Sequence, residues 1–302
     1  MLNPISFSIP REKIIKYIPL KTKILSDLIP GKLETYIYNT EKEYYDEYKK
    51  SFFALTTKKA GWDCMRHYEI IANGCIPYFP DIEKCPEYTM VHFPKSSIIQ
   101  GNILYQKLKD KSIDKLTKND LDEYYSLLLK LLNYLKKYLT TDRMAKYILE
   151  KSEFKNISKI LFLSGNILPD YLRCLTIHGF KRVFGSKFHD FPKVPHLYEN
   201  NYINPNELYG KGFTYSNLLD PILHDDSLDK TIENDIKNKY YDIVIYGSYH
   251  RGMPFYDFIC EFYKPEEIIL ICGEDHHLCG YNSWLNKKHK MFVRELDVKF
   301  CV

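Results

Sequence analysis

Three short apolar runs in the second half of the chain constrain its fold more than any other feature. They are KILFLSG at 159–165, YDIVIYGS at 241–248 and EIILICG at 267–273. Each is nearly continuous rather than alternating, and each closes on Gly or Ser. That is the pattern of a parallel strand buried on both faces. Helical patterns at 169–178 and 254–263 follow the first and second runs. Strand, helix, strand at this spacing makes a right-handed parallel crossover the default.

The first half repeats the theme less cleanly. Residues 35–38 read as a strand, 41–50 as a helix and 52–56 as a second strand leading into the loop 58–63. A helix over 64–73 follows, stopped by Gly74 where a left-handed cap is wanted. Strands at 75–79 and 89–93 complete this half. Thr117 and Asp120 form a capping box ahead of a helix with Leu121, Tyr124, Leu128, Leu131, Leu135 and Tyr138 on one face. Thr141 caps a further helix, 142–150. The expected class is therefore α/β, with two Rossmann-like layers joined by helices. The boundary falls between residues 1–150 and 151–302.

Composition narrows the function classes. Of 302 residues, 45% are hydrophobic and 27% charged, so a disordered or low-complexity chain is excluded. Lys and Arg number 43 against 39 Asp and Glu, leaving a charge of +4, too mild to call for a nucleic-acid partner. The 27 tyrosines read first as codon bias from an AT-rich genome and second as a sugar- or base-stacking surface. Eight cysteines, at 64, 75, 85, 174, 260, 272, 279 and 301, include no C-x-x-C pair. The opening MLNPISFSIPREK lacks the pattern of a signal peptide, and no apolar stretch reaches 18 residues. The expectation is a cytoplasmic chain with free thiols and no transmembrane segment.

Sites in open parallel sheets lie beyond the carboxyl ends of the strands. That rule selects the loops 58–63, 165–166, 247–251 and 273–277. The first opens the segment GWDCMRHYEIIANGCIPYF at 61–79. Asp63 is placed to cap the helix, whose free N–H groups would favour an anion. Arg66, Glu69 and Asn73 share one face. The arginine is placed to clamp a diphosphate and the glutamate to accept ribose hydroxyls, or the two form an ion pair on a solvated face. Gly61 and Lys58 flank this loop, Lys58 and Lys59 adding positive charge or standing as ordinary exposed lysines. Trp62 is a wall for a base or sugar, or a core anchor.

Arg66-x-x-Glu69-x-x-x-x-Gly74-Cys75-Ile76-Pro77 resembles the donor-binding signature of exostosin-like glycosyltransferases and, more loosely, of GT-B glycosyltransferases. The match covers residues 51–93. It implies that Arg66 and Glu69 contact a nucleotide-sugar; since GT-B enzymes carry their donor domain second, either the two halves stand in permuted order or the second is an unrelated Rossmann-like layer.

The remaining loops are read on their own residues. Ser248, His250 and Arg251 follow a strong strand. The histidine could take a proton from an acceptor hydroxyl and the arginine could hold phosphate, or both are solvated turn residues. Asp275 and His276 offer a second base or an acceptor contact. Glu274, Asp275, His276 and His277 fit no zinc spacing, even with Cys272 and Cys279 nearby. Gly165-Asn166 lacks the later glycines of a dinucleotide fingerprint. Asp225-Asp226 is similar in outline to the metal-binding pair of GT-A glycosyltransferases, yet with no strand before it reads as a solvated turn. The expected activity is metal-independent sugar transfer, without a cofactor, from a nucleotide-sugar to a glycan or other hydroxyl acceptor. His250 and Asp275 are its candidate bases. The alternatives are a non-catalytic nucleotide- or glycan-binding relative and an α/β transferase of different chemistry.

Overall fold

The computed structural model describes residues 1–201, 203–276 and 281–297. The chain opens with β1 (Leu2–Pro4) and β2 (Lys23–Leu25), then α1 (Glu41–Lys50). Thr40 starts α1 with a capping box: its hydroxyl accepts the Glu43 N–H, and the Glu43 carboxylate accepts the Thr40 N–H. β3 (Ser51–Leu55), α2 (Met65–Ala72) and β4 (Ile76–Tyr78) follow, and β2, β3 and β4 make a three-stranded parallel sheet with β3 central. Phe53 is in register with Leu25 on one side and Ile76 on the other. Gly74 ends α2 at φ +70°, as its position predicts.

Two expected strands in this half are absent. Residue 35 ends a single 3₁₀ turn, Leu33–Thr35, and residues 36–38 lie in the loop after it. The alternation of Thr-Tyr-Ile-Tyr is misleading because Ile37 is 71% exposed, while the two tyrosines turn their hydroxyls inward to Arg66 and Glu47. Residues 89–93 form turns with Met90 at φ +52°. Thr89 is buried there by packing, and its hydroxyl donates to the Leu296 carbonyl.

Three helices connect the halves: α3 (Lys95–Leu108), α4 (Lys118–Tyr138) and α5 (Thr141–Lys151). The capping box at Thr117 and Asp120 is present, and Leu128, Leu131 and Leu135 are buried. α5 begins one residue earlier than expected. Thr140 holds its N-cap position, and the Thr141 hydroxyl meets His178 Nδ1 at 2.9 Å instead.

The large sheet is built from β5 (Ile160–Leu163), β6 (Phe188–Phe191), β7 (Ile243–Gly247), β8 (Ile268–Cys272) and β9 (Lys290–Val293). Helices α6 (Tyr171–Phe184), α7 (Asp226–Lys237), α8 (Tyr256–Phe262) and α9 (Tyr281–Asn286) intervene. The sheet is six-stranded and wholly parallel, in the order β1-β9-β8-β7-β5-β6. β5, β7 and β8 are buried at every residue, which is why their sequences carry no alternation. β1, from the start of the chain, is one edge; Pro4 is tolerated there because an edge strand has a free side. The Asp225-Asp226 pair, expected as a solvated turn, is exposed and supplies the N-cap and first residue of α7.

From β5 the chain adds β6 on one side, then returns to add β7, β8 and β9 on the other. The direction of winding therefore reverses between β5 and β7, and the carboxyl ends of strands at such a reversal are where open α/β sheets generally bind their ligands. One hydrophobic core runs through both sheets, joining Phe52 and Leu128 to Phe162 and Ile243. Among the described residues, no helix is long and apolar enough to cross a membrane. No disulfide joins the six described cysteines; Cys279 and Cys301 lie outside the described residues.

Candidate functional site

The loop after β3 and the helix behind it hold the donor-side candidates, and every residue of α2 is buried. Asp63 does not cap this helix; Cys64 stands at the cap position and makes no side-chain capping bond. The Asp63 carboxylate turns the other way, accepting the Phe7 N–H at 2.6 Å and the Tyr68 hydroxyl at 2.8 Å. Burial pushes its pKa up to about 7, against the pull of Arg294.

Arg66 and Glu69 form neither a solvated ion pair nor an open clamp. The Arg66 guanidinium donates to the Thr56 hydroxyl (3.0 Å), the Tyr36 hydroxyl (3.3 Å) and the Thr57 carbonyl (3.2 Å). Glu69 accepts from the Tyr44 hydroxyl at 2.8 Å and from the Thr214 hydroxyl, which the chain brings from far downstream. Burial lifts the Glu69 pKa to about 7. Asn73 is buried and donates to the Glu69 backbone carbonyl. The polar face expected on this helix is thus an interior network, closed largely by tyrosine and threonine hydroxyls.

The rim of the same loop faces the large sheet. Trp62 and Asp63 donate their N–H groups to the Glu295 carboxylate at 3.1 and 2.9 Å. Arg294, beside it and almost fully buried, donates to the carbonyls of Asp63, Gly273 and Glu274 and pairs with Glu295 and Asp275. Gly61 fits tightly here: a Cβ would stand 2.6 Å from Glu295 Oε1 and 3.1 Å from Asp275 Oδ1. The carboxyl edges of the two sheets therefore meet across this contact. Asp275, a candidate base, already has the Arg294 guanidinium as its partner. Lys58 is exposed, its ammonium 5.3 Å from the centre of the Trp62 ring.

The winding reversal gathers a second group. Ser248, in the left-handed conformation at φ +56°, donates to Asp170 Oδ2 at 2.6 Å. Arg251 pairs with the same oxygen at 3.0 Å, and the Arg173 N–H donates to the other. These charges hold Asp170 below the usual carboxylate range despite its burial. The Asn166 side chain accepts the Leu168 N–H. Gly165 is obligatory because a Cβ would lie 2.2 Å from the Arg251 carbonyl oxygen.

His250 Nε2 meets Glu274 Oε1 at 2.8 Å, and His276 approaches the other oxygen at 3.4 Å. His250 Nδ1 is buried and has no hydrogen-bond partner. Burial lowers the imidazole pKa, opposed by Glu274. With Nε2 turned to Glu274, Nδ1 is the nitrogen left to take a proton, and a substrate would have to reach it in its buried position for His250 to act as a general base. His277 lies outside the described residues.

The structure thus brings Ser248, His250 and Arg251 together at the reversal, with Asn166 on the neighbouring loop. Gly61, Trp62, Asp63 and Asp275 meet at the contact between sheets, and Arg66, Glu69 and Asn73 lie inside. Sequence reasoning missed Asp170, Glu274, Arg294 and Glu295. Asp170 carried a usable signal as a helix N-cap ahead of Tyr171. Two surface hollows lie elsewhere, one framed by Arg11, Glu12, Asp142 and His178, the other by Lys13, Glu41, His196 and Lys211. In the first, Arg11 pairs with Asp142 and Glu12 with His178, and Lys146 and Arg182 also line it. No protein-family profile matches this chain, and no curated protein or solved structure matches it significantly.

Proposed function

We propose that this protein is a glycosyltransferase of GT-B type, working in the cytoplasm and moving a sugar from a nucleotide-sugar to a hydroxyl of a glycan or glycoconjugate. The observation that carries the reading is the His250–Glu274 pair beside the winding reversal, on a sheet whose carboxyl edge meets that of a second parallel sheet. The signature shared with exostosin-like enzymes, Arg66 to Pro77, supports it.

In this reading His250 takes the acceptor proton while Glu274 orients the ring and stabilises the imidazolium. The departing diphosphate gains negative charge, which Arg251 and the backbone around Gly165 stabilise. Arg66 and Glu69 shape the donor wall from within, and Trp62, Lys58 and Gly61 form its rim. Ser248, Asn166 and His276 complete the acceptor or phosphate side. No metal is required for this step.

The test is thermal stabilisation by UDP, GDP, CDP, ADP and their sugars, with and without Mg²⁺ or Mn²⁺. A ligand at 100 times its Kd adds about 2.7 kcal/mol, several degrees in melting temperature. A metal-independent shift with one nucleoside diphosphate is expected, lost in Arg251→Ala. Silence across the panel would sink the reading.

A second reading has its own observation. Arg66 and Glu69 are engaged by internal partners, which favours an α/β transferase of different chemistry, or a non-catalytic binding relative, with its ligand at the reversal alone. Such a protein would be stabilised by ligands other than sugar nucleotides, or would bind a sugar nucleotide without turning it over.

A further inference from the structure

The edge strand β6 carries a cluster that the proposed transfer reaction does not use. His189 stands in β6 in register with Leu161, while His224 precedes α7 and Asp229 lies in its first turn. One ligand atom from each lies within 4.8 Å of the other two. His189 Nε2 is 2.9 Å from Asp229 Oδ1, and His224 Nε2 is 3.3 Å from Asp229 Oδ2. The two rings are 5.1 Å apart between centres, and both side chains are almost wholly buried.

Two details separate this cluster from an ordinary interior ion pair. First, His189 Nε2 and Asp229 Oδ1 are buried and close, yet neither makes a hydrogen bond, because the geometry is wrong for one. The other oxygen of Asp229 is hydrogen-bonded to His224 Nε2, so one carboxylate lies against both rings. Second, the far nitrogen of His224, Nδ1, is held at 3.2 Å by Asp190. Asp190 is itself fixed by Lys181 at 3.0 Å and the Tyr198 hydroxyl at 2.7 Å. A carboxylate behind a histidine that fixes its tautomer and ring orientation is the outer support that metal-bound imidazoles characteristically have.

We infer that His189, His224 and Asp229 hold a zinc-class dication that fastens α7 to the sheet edge, with Asp226 as the fourth ligand. Zinc bonds of about 2.0–2.1 Å in a tetrahedron place neighbouring ligand atoms about 3.3 Å apart; the two histidines approach the two Asp229 oxygens at 2.9 and 3.3 Å. Two nitrogens among the donors disfavour calcium and magnesium, which take oxygen. Asp226 Oδ1 is exposed and 3.6 Å from His224 Nε2, with Lys193 at 3.6 Å as its other neighbour, a contact that ligation would replace. α7 gives only Ile232 and Ile236 to the core, so a tie at its first turn has a structural use.

The experiment strips the purified full chain with a chelator and titrates it with Zn²⁺ and Co²⁺. One equivalent is expected to bind, to raise the melting temperature by several degrees and, with Co²⁺, to give the intense visible bands of a tetrahedral site. Asp229→Asn, a change at a partly exposed position that preserves side-chain size, should weaken Zn²⁺ binding at least tenfold while the circular dichroism spectrum stays that of the parent. Asp226→Asn should convert the cobalt spectrum toward higher coordination with water. A folded parent that binds neither ion, or an Asp229→Asn variant with undiminished Zn²⁺ affinity, would overturn the assignment. Mg²⁺ or Ca²⁺ giving the same stabilisation as Zn²⁺ would overturn it as well. None of these readouts depends on sugar transfer.

Discussion

Arg66 and Arg251 both follow the carboxyl end of a parallel strand, and they differ in what surrounds the guanidinium. Arg66 is buried, with donors taken by Thr56, Tyr36 and Thr57. Arg251 has a third of its side chain in solvent and a single carboxylate partner, Asp170. The same contrast separates Glu69, ringed by hydroxyls, from Glu274, which is partly exposed and faces two imidazoles. A buried network that satisfies its own members holds a helix in place. A partly open one still has donors and acceptors to offer a ligand. In the proposed reading, that difference gives the small sheet a supporting part and leaves the chemistry to the reversal of the large sheet.

The largest effect that would sharpen this contrast is on turnover. His250→Ala should lower it about 10²–10⁴-fold with donor affinity nearly unchanged, read by steady-state kinetics on whichever donor the panel identifies. Because burial lowers the His250 pKa, the imidazole stays neutral to lower pH than an ordinary histidine. The acid limb of the wild-type rate profile should therefore fall below about pH 6.5. Unaltered turnover in the variant would remove His250 from the reaction.

Next in size is stability. Arg66→Met strands the Thr57 carbonyl and two hydroxyls in the interior and should cost about 3 kcal/mol in urea melts. Arg251→Met should cost under about 1 kcal/mol, since Ser248 and Arg173 still satisfy Asp170. Equal costs would break the contrast. Gly165→Ala should cost about 1–3 kcal/mol, because its Cβ meets a backbone carbonyl that cannot step aside. Gly61→Ala should cost less, since the atom it meets is the end of the Glu295 side chain.

The smallest effect is a slope. Native Glu69 keeps its proton up to about pH 7, whereas the unfolded chain releases it near 4.5. Between those values the folded state binds more protons, so this group's contribution to stability falls as pH rises, by at most about 1.4 kcal/mol per pH unit. Glu69→Gln should flatten the dependence of stability on pH in that window. Asp63, raised to about 7 as well, keeps a slope of the same sign in the variant. An unchanged slope would mean that native Glu69 is ionised well below pH 7.

What could be read from the sequence follows from how each element is buried. β5, β7 and β8 announce themselves because strands covered on both faces need an apolar residue at nearly every position. The edges do not. Leu2-Asn3-Pro4 and Phe188-His189-Asp190-Phe191 are too short and too polar for periodicity to register. Arg66 and Glu69 stood out by spacing, but their partners Tyr36 and Thr214 lie 30 and 145 residues from them along the chain, and local sequence cannot say that these will arrive. His250 was visible beside its strand. Glu274 was visible too, but its pairing with His250 exists only once two neighbouring loops are side by side. The tyrosines that composition ascribes first to codon bias supply several of the hydroxyls that close the interior network.

The placement of β1 against β9 has a consequence for the order of assembly. Met1 and His289 are bonded across 288 residues of chain. A ribosome adding about 5–20 residues per second would make the first strand wait roughly 15–60 s for its neighbour. During that interval Ile5, Phe7 and Ile9, which end in the interior, have no finished sheet to cover them. β1 thus cannot take its place in the large sheet until β9, its neighbour there, has been made.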